Sequence, residues 1–196
     1  MHRMQQLARP NAYFPAPRTP VFCTQCGFRL TRRVPPDDTR VRDLCENCGA
    51  IHYQNPLIVV GTIPVWQDHV LLCKRAIHPR YGFWTLPAGF MELGETCAEG
   101  AQRETLEEAG LHIEPGALFS VIDVPQHDQV HLFFLGQVAD PSLSPGQETL
   151  EAQWVAEADI PWAEIAFRTV LITLQRFFDD RRKGSFGFHY LALPPR

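Results

Sequence analysis

The chain has 196 residues and a net charge of −4, with 45% hydrophobic and 20% charged residues. These values are ordinary for a soluble globular protein, and the small negative charge gives no general attraction to nucleic acid or to an anionic membrane. No apolar run approaches the ~20 residues that span a bilayer, and the N-terminus lacks the hydrophobic core of a secretory signal. We therefore expect a cytoplasmic protein without a membrane partner, built as one domain or as a domain plus a small module.

The first twenty residues differ in composition from the rest. They hold three arginines, four prolines and no acidic residue. A transit sequence is the alternative, but this segment is short and broken by proline. We predict a flexible N-terminal arm over residues 1–20.

Four of the six cysteines form two Cys-x2-Cys pairs that are separated by 18 residues, and a glycine follows each pair. A tight turn at glycine can present both sulfurs of a pair to one ion, and four thiolates are the ligand set of structural Zn²⁺. Two disulfides are the alternative, which the lack of a secretory signal disfavours. The predicted zinc ligands are Cys23, Cys26, Cys45 and Cys48.

Residues 21–54 are therefore predicted to form a zinc ribbon with a hairpin between the two cysteine pairs. Its arginines could hold nucleic acid, but a structural or dimer-forming role fits at least as well, because no aromatic stacking platform accompanies them. The arginines in question are Arg32, Arg33, Arg40 and Arg42.

Residues 55–196 alternate between strand-like and helical patterns, which predicts an α/β domain. We expect strands or strand-like runs at 57–65 (broken by Pro64), 70–74, 118–124, 130–138 and 152–156, a helix at 165–178, and a short edge strand in the tail.

A further helix is predicted after Thr96, which can cap it together with Glu99 in a capping box, and Gly110 suits its C-cap. Its acidic residues lie at spacings of three and four, so they project from one side. A solvated acidic face is the ordinary interpretation. However, small residues recur on another face and Gly100 weakens the helix, which favours close packing and a divalent metal site. The acidic residues are Glu104, Glu107 and Glu108.

The stretch from Gly89 to Leu111 resembles the Nudix box, G-x5-E-x7-R-E-U-x-E-E-x-G-U. Thr105 stands where a bulky aliphatic residue is expected. The resemblance implies an α/β/α sandwich with a mixed sheet, preceded here by the zinc-ribbon module. The other matching positions are Glu95, Arg103, Glu104, Glu107, Glu108 and Gly110.

The resemblance also implies hydrolysis of a pyrophosphate bond with Mg²⁺ or Mn²⁺. The metal ligands would be Glu104, Glu107 and Glu108, with a backbone carbonyl from Ala88. Glu95 and Arg103 would orient the ligands, and the base would be Glu104 or a later acidic residue, with Glu148 favoured over Glu151.

The substrate is predicted from a wider resemblance to FAD pyrophosphatases, through HYQNP at 52–56, LLCKR at 71–75, YGFWTLPAGFME at 81–92 and FHY at 188–190. We therefore expect FAD or a related ADP-linked dinucleotide such as ADP-ribose or NADH as substrate, and a homodimer. The alternative is a ligand-sensing regulator that binds nucleic acid through the ribbon, although such domains are expected to lose box glutamates and this chain keeps them. Predicted substrate contacts are Arg80, Tyr81 and His127.

Overall fold

The computed structural model describes residues 20–194, so the predicted arm lies outside it except for Pro20. The chain separates into two compact units, one up to Pro56 and one from Leu57 onward. Within the described residues, no helix has the length and apolar character needed to cross a membrane.

From residue 20 onward, the first unit forms a small antiparallel sheet of three strands, β1 (Thr31–Arg33), β2 (Arg42–Leu44) and β3 (Ile51–His52). The predicted hairpin between the cysteine pairs is confirmed, because β1 pairs with β2. Its turn is held by Asp38, whose carboxylate accepts hydrogen bonds from the amides of Thr39 and Arg40. Few apolar side chains are buried in this unit, so a bound metal has to supply much of its stability.

In its described residues, the second unit contains one mixed sheet of eight strands and two α-helices. The central strands run in the order β10-β5-β4-β9-β8-β11, with β6 on β5 and β7 on β4. The pairs β4–β9 and β8–β11 are parallel and the other pairs are antiparallel. The elements are β4 (Leu57–Trp66), β5 (His69–Arg75), β6 (Trp84–Thr85), β7 (Ala88–Phe90), α1 (Cys97–Ala109), β8 (Glu114–Val124), β9 (Gln129–Gln137), β10 (Thr149–Ala156), α2 (Arg168–Lys183) and β11 (His189–Ala192).

The two helices cover opposite faces of this sheet, which confirms the predicted α/β/α sandwich. Thr62 of β4 hydrogen-bonds to Thr105 of α1, with 2.7 Å between the hydroxyl oxygens. Its neighbour Ile63 points to the other face because strand residues alternate, and there it joins the main core with Leu174 and Phe177 of α2. Thr105 at the expected aliphatic position therefore keeps its hydroxyl satisfied in the core.

The structure moves several predicted boundaries, and two of the shifts have a local cause. We predicted a strand broken at Pro64, but β4 continues to Trp66. Its ladder with β5 involves only Val65 and Trp66, so no bond to β5 requires an N–H from Pro64. We also predicted a helix at 165–178, but α2 runs from Arg168 to Lys183. It starts later because Ile165 forms a parallel bridge with Trp84 and the amide of Ala166 donates to the carbonyl of Trp84.

The predicted edge strand in the tail is confirmed as β11, which lies parallel to β8. The buried carboxylate of Asp180 on α2 holds the segment before it, accepting hydrogen bonds from the amide of Gly187 at 2.9 Å and from His189 at 2.7 Å. The tail therefore completes the sheet.

Candidate active site

The four predicted zinc ligands lie together, with all four sulfurs within 4.8 Å of one another. The Sγ atoms of Cys23 and Cys48 are 3.6 Å apart and those of Cys26 and Cys45 are 3.4 Å apart. Disulfide sulfurs would be at about 2.05 Å, so the disulfide alternative is wrong. Tetrahedral Zn²⁺ with Zn–S bonds of about 2.3 Å places its sulfurs about 3.8 Å apart, so the cluster fits this ion.

Local structure explains why the sulfurs meet. Gly27 and Gly49 follow the two pairs with φ of 74° and 76°, a left-handed conformation that favours glycine. Burial acts to raise the pKa of Cys23, but hydrogen bonds from the amide of Gln25 and from His52 outweigh it and lower that pKa to about 6. These hydrogen bonds favour the thiolate of Cys23, the form that a metal requires. Cys48 differs, because a hydrogen bond with the backbone of Ala50 lowers its pKa but contacts with the other three sulfurs outweigh it and raise that pKa to about 12.

The ribbon arginines are largely engaged within their own unit. Arg32 pairs with Asp43, Arg33 with Glu46 and Arg42 with Asp38. Three aromatic side chains are exposed in the described part of this unit, Phe22, Phe28 and Tyr53, and the guanidinium of Arg42 lies over the ring of Tyr53, 5.1 Å from its centroid.

The acidic helix forms as predicted. Thr96 accepts a hydrogen bond from the amide of Glu99, the Glu99 carboxylate accepts one from the amide of Thr96, and Gly110 ends the helix with φ of 66°. Gly100 is needed for packing, because a Cβ there would lie 2.6 Å from a carboxylate oxygen of Glu95. The helix therefore lies close to the loop that precedes it.

The three predicted carboxylate ligands have different environments. Glu108 is buried and accepts a hydrogen bond from the amide of Ala88 at 3.2 Å. Glu104 lies against the backbone of Gly89, where a Cβ would come within 2.3 Å of its carboxylate. Glu107 is exposed. The contact seen at Ala88 is made by its amide, whereas the sequence led us to expect its carbonyl at the metals.

Arg103 links these carboxylates to the preceding loop. Its Nε and Nη2 donate to the two carboxylate oxygens of Glu95, at 3.0 and 2.8 Å, and Nη2 also donates to the carbonyl of Phe90. Its Nη1 donates to Glu104 at 2.7 Å and to Glu107 at 3.3 Å. The guanidinium thus touches two predicted metal ligands and the loop glutamate together.

Arg103 does not close the cluster to a cation. Glu104 and Glu107 each accept a hydrogen bond from Arg103 through one carboxylate oxygen, and Glu108 accepts one from Ala88 in the same way. The second oxygen of each carboxylate makes no hydrogen bond within residues 20–194. Among those residues, only the four cysteines bring three or more ligand atoms within 4.8 Å of one another. The glutamates are therefore neighbours that are not gathered into a tight set.

The electrostatics of the cluster fit a divalent cation. Burial, and then the charges of Glu104 and Glu148, raise the pKa of Glu108 to about 8. Burial also raises the pKa of Glu104, although Arg103 opposes this effect. The pKa of Glu95 is lowered to about 2 by its hydrogen bonds with Arg103. Crowded carboxylates whose ionisation is disfavoured are a donor set that hard cations such as Mg²⁺ and Mn²⁺ would stabilise.

The two late acidic residues are placed differently. Glu148 is exposed, its carbonyl accepts the amide of Ala76 at 2.7 Å, and its charge acts on the pKa of both Glu104 and Glu108. Glu151 instead pairs with Lys74 at 3.8 Å. The position of Glu148 therefore agrees better with the expected role.

Arg75 lies at this site and was missed by the sequence reasoning. Leu71 and Cys73 of β5 pack with Ala109 of α1, and strand alternation places Arg75 on the same face. Its charge acts on Glu108. A single arginine at a strand end has no spacing to mark it, so only the fold could reveal it.

The predicted substrate contacts are all on exposed turns. Arg80, with φ of 65°, has its guanidinium over the ring of Phe83, and Tyr81 lies 5.9 Å from His78 between ring centroids. His127 lies in a turn between β8 and β9. None of these positions contradicts a substrate contact.

This fold, with an acidic helix against a mixed sheet, is that of the Nudix hydrolases. A family model described as "NUDIX domain" matches residues 56–173, and one described as "Nudix N-terminal" matches residues 21–54. The chain therefore belongs to the Nudix hydrolase family and carries its N-terminal zinc ribbon.

Particular relatives define the similarity further. The crystal structure of a NUDIX hydrolase from Nitrosomonas europaea is 45% identical, with a TM-score of 0.82, and covers 88% of this chain and 99% of that one. The NAD-capped RNA hydrolase NudC of Vibrio atlanticus is 30% identical over 169 residues, which are 84% of this chain and 60% of that protein. Human 8-oxo-dGDP phosphatase NUDT18 is 42% identical over 53% of this chain and 33% of its own length. The chain thus spans a third to three fifths of these two curated relatives.

Proposed function

We propose that the chain hydrolyses the pyrophosphate bond of an ADP-linked dinucleotide and releases two monophosphates. FAD is the first candidate substrate, followed by ADP-ribose and NADH. The observation that carries the proposal is the placement of Glu104 and Glu108 against the β7 backbone, with the exposed Glu107 beside them on α1. Burial and the charges of neighbouring carboxylates disfavour the ionised forms of Glu104 and Glu108, and a bound cation would stabilise those forms. Relatives named as a NAD-capped RNA hydrolase and an 8-oxo-dGDP phosphatase support a nucleotide substrate.

The metal ligands in this proposal are Glu104, Glu107 and Glu108, with the carbonyl of Ala88. Bound Mg²⁺ or Mn²⁺ would neutralise the charge of the pyrophosphate oxygens and lower the pKa of a coordinated water. The buried Glu108 is held at one oxygen by the amide of Ala88, which leaves its other oxygen for the cation.

Arg103 and Glu95 position the ligands. Arg103 is fixed by two hydrogen bonds to Glu95, so its Nη1 holds the Glu104 and Glu107 carboxylates at defined places on the helix. For the base, we favour Glu148 over Glu104. Glu148 is exposed and its electrostatic influence reaches the cluster, whereas Glu104 is partly buried and bonded to Arg103.

Other features of the substrate site and assembly complete the proposal. Arg80, Tyr81 or His127 would contact a nucleobase or the second phosphate of the dinucleotide. We also propose a cytoplasmic homodimer whose zinc ribbon serves structure and not nucleic-acid binding. The ion pairs of its arginines support this assignment.

The test is a substrate panel of FAD, NADH, ADP-ribose, CoA and 8-oxo-dGTP, each with Mg²⁺ and with Mn²⁺, ranked by kcat/KM. We expect metal-dependent release of AMP, with FAD ranked first. Selective cleavage of CoA or 8-oxo-dGTP would overturn the substrate assignment alone. Salt-dependent DNA binding without cleavage of any dinucleotide would replace the proposed function with the regulatory alternative.

A further inference from the structure

The two arginines beside the carboxylates differ in what their guanidinium groups bind. Arg103 uses all three of its nitrogens on Glu95, Glu104, Glu107 and the carbonyl of Phe90. Arg75 donates only its Nε, to the carbonyl of Pro79 at 3.0 Å. Across residues 20–194, no hydrogen bond or ion pair engages its two terminal nitrogens.

The surroundings hold the guanidinium of Arg75 in place. One face of the group lies over the ring of Phe167, 5.0 Å from the centroid. The Arg75 amide donates to the carbonyl of Phe83, and its carbonyl accepts the amide of Gly82, so both backbone polar groups of Arg75 are bonded to the same neighbouring segment. These contacts hold the Arg75 side chain, so its two terminal nitrogens point in a defined direction. Binding of a ligand to them would therefore cost little additional side-chain entropy.

The charge of Arg75 is not neutralised by a close partner. No carboxylate lies within 4.0 Å of it in the described chain, although Glu108 and Glu148 are near enough to act on its pKa, which burial lowers. A half-buried guanidinium whose two terminal nitrogens make no hydrogen bond leaves hydrogen-bonding capacity unmet, and phosphate oxygens match the geometry of these two nitrogens.

We propose that Arg75 is a substrate-binding residue whose terminal nitrogens donate to a non-bridging oxygen of the pyrophosphate. This inference rests on the proposed function, because it places the phosphates beside Glu108. Arg103 then orders the metal ligands while Arg75 holds the anion that the metals bring in. The hydrogen bond to Pro79 uses only Nε, and the contact with Phe167 uses only one face of the guanidinium. A purely structural role would therefore not account for the two terminal nitrogens.

The test uses the 196-residue chain with zinc bound and its variants Arg75→Gln and Arg75→Lys. Lys74→Gln is the matched control, since it removes the neighbouring cation from the opposite face of β5, where Lys74 pairs with Glu151. Binding of inorganic pyrophosphate is measured calorimetrically with Mg²⁺ present, alongside kcat/KM for the best dinucleotide and a thermal melt for each variant.

We expect wild type and Lys74→Gln to bind pyrophosphate within about twofold of each other. Arg75→Gln should bind it ten- to a hundredfold more weakly, with a matching fall in kcat/KM, as for loss of a charge-assisted hydrogen bond. Arg75→Lys should lie between them, because an ammonium supplies the charge without the two terminal nitrogens. If Arg75→Gln does not fold, pyrophosphate binding by Arg75→Lys tests the inference instead.

Several outcomes would overturn the inference. They are unchanged pyrophosphate binding in a folded Arg75 variant, an equal loss in Lys74→Gln, and absence of pyrophosphate binding by wild type. Failure of the proposed function gives a different result. In that case wild type cleaves no dinucleotide, yet pyrophosphate still binds in a manner that depends on Arg75.

Discussion

Gly89→Ala tests whether the position of one carboxylate governs turnover. A Cβ at residue 89 would lie 2.3 Å from the carboxylate of Glu104, whereas ordinary contacts begin at 3.4 Å, so the carboxylate has to move by about 1 Å. Arg103 holds that carboxylate at 2.7 Å, so the movement breaks this bond. Misplacement by 1 Å costs about a hundredfold in rate, or ~2.7 kcal/mol in the barrier.

The effect on stability should be much smaller. Gly89 has no positive φ, so alanine introduces no backbone strain, and loss of the partly exposed Arg103–Glu104 pair costs about 1 kcal/mol. This corresponds to a fall in Tm of about 2–4 °C. Gly116→Ala is the control, since the added Cβ would meet only Leu135, with the carbonyl oxygen at 3.2 Å. Wild-type kcat in Gly89→Ala at saturating Mg²⁺ would refute the reasoning, and so would an equal loss in the control.

Three further predictions concern charge and metal. Because the pKa of Glu108 is about 8 in the fold and ~4.3 when unfolded, the chain without added Mg²⁺ or Mn²⁺ should lose stability as pH rises between these values. Glu108→Gln should flatten this dependence in thermal melts and abolish turnover; an unchanged pH slope would contradict the assigned burial. Wild type should bind one zinc ion per chain, Cys45→Ser should lose it and expose the ribbon to proteolysis, and Cys97→Ser should retain it; metal analysis and limited proteolysis measure both effects. Glu148→Gln should lower kcat at least a hundredfold and Glu151→Gln by less than threefold, and a reversed ranking would move the base to Glu151.

Much of the fold could be predicted where short-range chemistry decides the structure. The bounds of α1 followed from Thr96, Glu99 and Gly110, whose caps act within a few residues of the chain. The sulfur cluster followed from cysteine spacing in the same way. Pro64 was misjudged because a strand accepts proline wherever no neighbouring strand requires a backbone N–H at that position. Strand pairing decides this, and it is a property of the whole sheet.

Within the site, residue types were predictable but their environments were not. Spacing alone placed Glu107 and Glu108 on the same side of α1, yet one is exposed and the other lies against the amide of Ala88. The difference arises from how closely β7 approaches the helix, which Gly89 permits. Arg75 lay beyond prediction for a similar reason, since its neighbours come from β10 and from the start of α2.

The bonds of Arg103 to Glu95 depend on the number of residues between the two. The two residues are eight positions apart, and this interval runs from the loop through two turns of helix. One inserted residue inside the helical part would turn Arg103 by about 100° around the axis, away from Glu95 and from the carbonyl of Phe90. The spacing of eight residues between Glu95 and Arg103 therefore matches the distance between the loop and the side of the helix that faces it.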